Sequence, residues 1–141
     1  MFERILLAYD GSEHSNKAAD YAIELAKMHN SKVAILHVRT PYVGYPYENL
    51  EGLALVENKL KESAEEIVNA ATARLEEAGV DFSSKILLGD PANKICEEAE
   101  KNNMNLIIIG SRGLTPVSRF LLGSVSSKVI SYAYCPVLVV R

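Results

Sequence analysis

The chain has 141 residues, 48% of them apolar, which suits one domain with a sizeable core and argues against disorder. Its formal charge of −3 leaves no basic footprint for nucleic acid or for an anionic membrane. No apolar run approaches the ~20 residues of a membrane span. Met1-Phe2-Glu3-Arg4 leads straight into a strand-like run, so no signal peptide is expected. Cys96 and Cys135 fall in no metal or redox spacing, as expected of buried thiols in a reducing cytoplasm.

Apolar runs alternate with helical patterns along the whole chain. Arg4 to Tyr9 reads as a first strand, and Ser15 to Met28 as a helix with Ala18, Ala19, Ala22, Ile23 and Ala26 on one face. Lys32 to Val38 is a second strand, and its end, His37-Val38-Arg39, carries chemistry suited to a ligand. A longer helix starts around Leu50 to Ala54, and its apolar positions Leu53, Val56, Leu60, Ala64, Ile67, Ala71, Leu75 and Ala78 recur at helical spacing, with Gly79 placed to end it. Phe82 to Leu88 is a third strand. Asp90-Pro91 then supplies the cap and first position of a helix that turns Ile95, Cys96 and Ala99 inward. Leu106 to Ile109 is a fourth strand, continuously apolar as a central strand buried on both faces should be. A helix over about Ser124 to Ala133 and a fifth strand over Pro136 to Val140 complete the chain. The stretch from Arg39 to Gly52, with Tyr42, Tyr45 and Tyr47, reads as a loop and a candidate lid.

Strands separated by helices imply right-handed crossovers and a parallel sheet. Ligands of such sheets bind beyond the carboxyl ends of the strands, where the strand order reverses. In the order 3-2-1-4-5 the first and fourth strands diverge there. Their ends are Ala8-Tyr9-Asp10-Gly11-Ser12 and Gly110-Ser111-Arg112-Gly113, and the latter is followed nine residues later by Gly123-Ser124. Glycine lets main chain approach an oxygen closely, and a helix start presents free N–H groups. Asp10 is placed to accept from ribose hydroxyls or to help hold a hydrated Mg²⁺. The amides near Gly113 and at Ser124, Val125 and Ser126, with the hydroxyls of Ser124 and Ser126, are placed to take phosphate oxygens. Arg112, Arg119 and Lys128 are further cations within reach of such a group.

At these residues the chain resembles the ATP-binding members of the universal stress protein family. The shared signature is glycine, two residues, glycine, nine residues, glycine and a hydroxyl residue, here Gly110, Gly113 and Gly123-Ser124 without departure. The similarity extends to Ala8 through Ser12, Val38, Gly89-Asp90-Pro91 and Cys135 through Val140, and so spans essentially the whole chain. It implies a single-domain α/β fold over residues 1–141: an open five-stranded parallel sheet of order 3-2-1-4-5 with helices on both faces, Rossmann-like and similar to the adenine nucleotide α-hydrolases. It further implies ATP at the switch point, with Mg²⁺ (or Mn²⁺) accompanying it. Asp10, two residues after Ala8, would then contact ribose or metal, and the Val38 backbone would contact adenine; Ala8 is a further cofactor-binding candidate. Gly110, Gly113, Gly123, Ser124, Val125 and Ser126 would enclose the phosphates. Ser111 and Arg112 lie inside the motif as further cofactor-binding candidates, Arg112 at a position that the family pattern does not fix. A homodimer through the apolar edge strand at 136–141 is also implied.

Simpler roles stand beside these. Asp10 also suits a cap of the first helix or its turn, and Ser12 and Ser15 suit caps better than nucleophiles. His14, His29 and His37 show no metal spacing. The tyrosines of the 39–52 loop serve ordinary packing as readily as base shielding. The chain carries no Walker A lysine and no Ser-His-Asp arrangement, and it lacks the SGG-type loop and His-x-Gly-His motif of related hydrolases and transferases. The reading is therefore a nucleotide-dependent regulatory module acting on unknown protein partners. A slow ATPase or nucleotidyl-transfer enzyme and a nucleotide-free scaffold are the alternatives.

Overall fold

The structure, a computed structural model, describes residues 1–42, 50–114 and 121–141. Five strands, β1 (Arg4–Ala8), β2 (Lys32–Arg39), β3 (Phe82–Leu88), β4 (Leu106–Gly110) and β5 (Val137–Val140), form one sheet of order β3-β2-β1-β4-β5. Every pairing is parallel, with Leu6 of β1 opposite Ala34 of β2 and Ile107 of β4. The expected topology is therefore the observed one.

Four helices, α1 (Glu13–His29), α2 (Leu50–Glu77), α3 (Pro91–Lys101) and α4 (Ser124–Tyr132), cover the sheet. Residue alternation along β1 and β4 divides the core into two layers. Ile5, Leu7, Leu106 and Ile108 pack with α1 and α2, whereas Leu6, Ala8, Ile107 and Ile109 pack with α3 and α4. Ala18, Ala19 and Ala22 are fully buried, so α1 lies against the strands with only methyl groups between.

The start of α1 differs from the sequence reading for a local reason. The N-cap of α1 is Ser12, whose hydroxyl accepts from the Ser15 N–H at 3.2 Å, so the helix begins two residues before Ser15. Asp10 does not cap the helix. Its Oδ1 accepts from the Ser12 N–H at 2.9 Å and holds the turn leading to it. Asp90 caps α3 as expected, accepting from the Asn93 N–H, with Pro91 at the first position.

The apolar stripe of α2 is only partly covered. Ala64, Ala71 and Leu75 of that stripe are buried, whereas Leu53 near the start of this 28-residue helix is exposed, as are Leu50 and Leu55 off the stripe. Cys96 and Cys135 are free and half-buried rather than fully enclosed. Burial pushes both thiols above their ordinary range. Among the described residues no helix is long and apolar enough to cross a membrane.

Candidate functional site

A cavity of about 610 Å³ opens at the carboxyl ends of β1, β2 and β4, where the strand order reverses. That volume lies within the range of small-molecule sites, roughly 300–1,000 Å³. It is lined by Ala8, Asp10, Val38, Gly110, Arg112, Gly113, Gly123, Ser124, Val125 and Ser126, which brings together all but one of the cofactor-binding candidates at the strand ends and in the glycine motif.

The exception is Ser111. It is buried and does not line the cavity. Its N–H donates to the Val140 carbonyl at 2.7 Å, continuing the β4–β5 ladder, and its own carbonyl accepts from the Gly123 N–H at 2.8 Å. Ser111 therefore builds the loop through its main chain, and its hydroxyl is buried without a hydrogen-bond partner.

Ser126 needs a similar correction. Its hydroxyl is buried and donates to the Ser111 and Gly123 carbonyls, each at 3.0 Å. Only its amide remains for an external oxygen. Ser124 is exposed at the cavity wall, so its hydroxyl stays available.

The start of α4 has the features of an anion site. Gly123 occupies the N-cap, offers no side-chain cap, and leaves the N–H groups of Ser124, Val125 and Ser126 as the helix's unpaired first donors. Arg112 lines the same cavity, and its Nε is buried without an acceptor. A buried, charged donor left unpaired is costly, so this set suits an anionic oxygen.

None of the three motif glycines is among the positive-φ residues, so the turn does not demand glycine for its backbone angles. A Cβ on Gly110 would lie 2.8 Å from the His14 Cβ and 2.9 Å from its carbonyl carbon, inside α1. On Gly123 it would lie 3.3 Å from the Ser111 carbonyl oxygen. These two glycines let chain approach chain. On Gly113 the Cβ would lie 2.6 Å from Asp10 Oδ2, so Gly113 makes room for the carboxylate across the crevice.

Asp10 is the sole carboxylate among the described residues that line the cavity. With Oδ1 engaged by Ser12, Oδ2 is the oxygen facing Gly113. The strand end behind it is held by a polar cluster. The Tyr9 hydroxyl donates to Asn16 Oδ1, and Arg74 donates to the same oxygen at 3.1 Å and to the Asn16 carbonyl at 3.0 Å. Burial pushes the Tyr9 phenol up, and the Arg74 guanidinium pulls it part of the way back.

The histidines take structural places. His37 is buried with Nδ1 2.8 Å from the Tyr9 carbonyl, and His29 packs edge-on against Phe2. His14 sits against Gly110. Among the described residues no His, Cys, Asp and Glu cluster fit for a metal occurs. Lys128 leans toward α3, its Nζ 4.0 Å from Asp90 Oδ1. Arg119, Tyr45 and Tyr47 lie outside the described residues, as do most of the spacer between Gly113 and Gly123 and half of the 39–52 loop read as a candidate lid.

Sequence reasoning missed the second wall. Leu60, Ser63, Ala64 and Ile67 of α2 also line the cavity, facing the second strand end, where Arg39 lines it too. Leu60, Ala64 and Ile67 were visible as one apolar stripe, but periodicity does not separate residues facing a core from residues facing a hollow.

Comparisons with known proteins agree with this fold. A universal stress protein of Methanocaldococcus jannaschii is 40% identical over all of this chain and 83% of its own length. The structure of hypothetical protein MJ0577, solved as a test case of structural genomics, superposes with a TM-score of 0.85 at 31% identity, covering 99% of this chain and 96% of that one. A universal stress protein crystallised in complex with cAMP superposes with a TM-score of 0.71 at 26% identity, covering 99% and 96%. The sequence profile described as the Universal stress protein family matches residues 1–141, and the chain belongs to that family.

Proposed function

We propose that this protein is a nucleotide-binding regulatory module of the stress response that takes ATP, with Mg²⁺ or Mn²⁺, in the cavity between β1 and β4. The observation that carries the reading is the uncapped start of α4, whose three free amides open on the same cavity as Asp10 and Val38. A relative of this fold, 26% identical, is solved with cAMP, a ligand of the same chemical class. In this reading the amides of Ser124, Val125 and Ser126, the Ser124 hydroxyl and Arg112 take phosphate oxygens. Asp10 Oδ2 meets the ribose or a metal-bound water, and the Val38 main chain meets the base beside Ala8. The hydrogen bonds to charged oxygens contribute most, each about 1.5–3 kcal/mol, against about 0.3–1 kcal/mol from the helix dipole.

A regulatory role is favoured over a catalytic one because Asp10 is the one carboxylate at the described wall and is already tied to Ser12. Occupancy acts as a signal only when the ligand prefers one conformation over another, so partner proteins would read loaded against empty protein. The second copy is expected at β5. This edge strand pairs only with β4 among the described strands, and it is apolar. The cytoplasm is the expected compartment, where both thiols remain reduced.

Isothermal calorimetry with ATP, with and without Mg²⁺, tests the reading, together with mass spectrometry of small molecules released on denaturing freshly purified protein. Micromolar binding that is strengthened by Mg²⁺ is expected. No heat and no protection from thermal unfolding at millimolar ATP would overturn it. Steady turnover well above background that disappears in Asp10→Ala would move the protein to the enzyme class.

A further inference from the structure

Arg39 stands at the opposite end of the cavity from the glycine loop. It is the last residue of β2, one past Val38, and its carbonyl accepts from the Gly89 N–H at 3.0 Å, which pins its backbone to the neighbouring strand end. The side chain is only 21% exposed. Its Nη2 donates to Glu57 Oε2 at 3.2 Å, on α2 one turn before the cavity-lining Leu60. Its Nη1 is buried and has no acceptor. A guanidinium held in place by one arm, with the other arm enclosed and unpaired, is a donor waiting for a partner.

The topology says which part of a ligand that partner belongs to. β2 and β4 flank β1 on opposite sides, so Arg39 lies two strand spacings, about 10 Å, from the donors at Gly113 and α4. A phosphate held at α4 is out of its reach. A nucleotide with phosphates there and ribose beside Asp10 turns its base toward β2, into walls made by Leu36, Val38, Leu60 and Ala64. Those walls are apolar and suit a flat ring. Glu57 occupies Nη2, so Nη1 with its two N–H groups is the end left to be matched, and a purine ring nitrogen is an acceptor for it.

We propose that Arg39, oriented by Glu57, donates from Nη1 to a ring nitrogen of a bound purine base and so sets the base preference of this site. The inference rests on the nucleotide reading above. The test is calorimetry of the wild type, Arg39→Met, Arg39→Lys and Glu57→Gln with ATP, AMP and inorganic tripolyphosphate, each variant first checked by thermal unfolding. Arg39→Met is expected to weaken ATP and AMP by the same factor, about ten- to a hundredfold, and to leave tripolyphosphate unchanged. Arg39→Lys and Glu57→Gln are expected to show the same pattern with smaller losses, and they carry the test if Arg39→Met does not fold. Unchanged nucleotide affinity in these variants, or an equal loss for tripolyphosphate, would overturn the assignment while leaving the nucleotide reading intact. A wild type that binds neither ATP nor AMP would overturn both.

Discussion

The three motif glycines make a sharp experiment because their neighbours differ. In Gly110→Ala the new methyl group would sit 2.8 Å from the His14 Cβ and 2.9 Å from its carbonyl carbon, so a helix backbone must move. Overpacking of this kind costs about 1–3 kcal/mol. The stiffer unfolded chain returns about 0.4–1 kcal/mol, leaving a net loss of about 1–2 kcal/mol. At roughly 3–5 °C per kcal/mol for a chain of this size, the melting temperature falls by about 3–10 °C. In Gly113→Ala the obstacle is the end of the Asp10 side chain, 2.6 Å away, which swings aside at little cost. That variant should melt within a few degrees of the wild type, but it displaces the carboxylate expected to meet ribose or metal. Losing one such contact weakens ATP about ten- to a hundredfold. Differential scanning calorimetry and titration calorimetry on both variants read the two effects separately. A Gly110→Ala protein as stable as the wild type, or a Gly113→Ala protein with undiminished affinity, would refute the reasoning.

The two serines of α4 should separate in the same way. Ser126→Ala strips the donor from two carbonyls and should cost about 1 kcal/mol of stability with affinity nearly unchanged, whereas Ser124→Ala should leave folding intact and weaken ATP several-fold. The Pro136 and Val140 carbonyls of β5 face β4, so the Val139 N–H points to the open edge. Val139→Pro should therefore preserve the monomer fold and convert a dimer to a monomer in sedimentation, and a wild type that sediments as a monomer would remove the premise. Cys96 and Cys135, with thiols raised by burial, should react slowly with iodoacetamide at neutral pH in the native protein and quickly after denaturation. Because the folded state favours the neutral thiol, that contribution to stability is whole below the ordinary thiol value of 9.0 and declines as pH rises above it, which urea titrations from pH 8 to 10 would detect.

Much of the architecture was written in local pattern. Four consecutive apolar residues at Leu106 to Ile109 identify a strand buried on both faces, and β4 is the strand between β1 and β5. The cavity walls at Asp10, Val38 and the α4 amides were legible because strand ends and helix starts are fixed by the order of elements. What was not legible depends on neighbours distant in the chain. A glycine pattern says that a Cβ is excluded, not whether His14, Asp10 or a loop carbonyl excludes it. Ser124 and Ser126 look alike in sequence, yet the third helical position turns its hydroxyl back onto the Ser111 carbonyl and the first does not. Arg39 is visible in the sequence as the end of the second strand, but the hold that Glu57, 18 residues away, has on one of its arms is not. Periodicity marks the apolar face of α2 but does not reveal that Leu53, at its start, stays exposed.

The hollow borrows its sides from both layers of helices: Leu60, Ala64 and Ile67 come from one flank of the sheet, and Pro91, Ile95 and Val125 from the other. An occupant would therefore act as a keystone, bridging two flanks that the strands hold apart. Loading should slow amide exchange in α2 and α4 together, so that a message received at one rim is felt on opposite sides of the molecule.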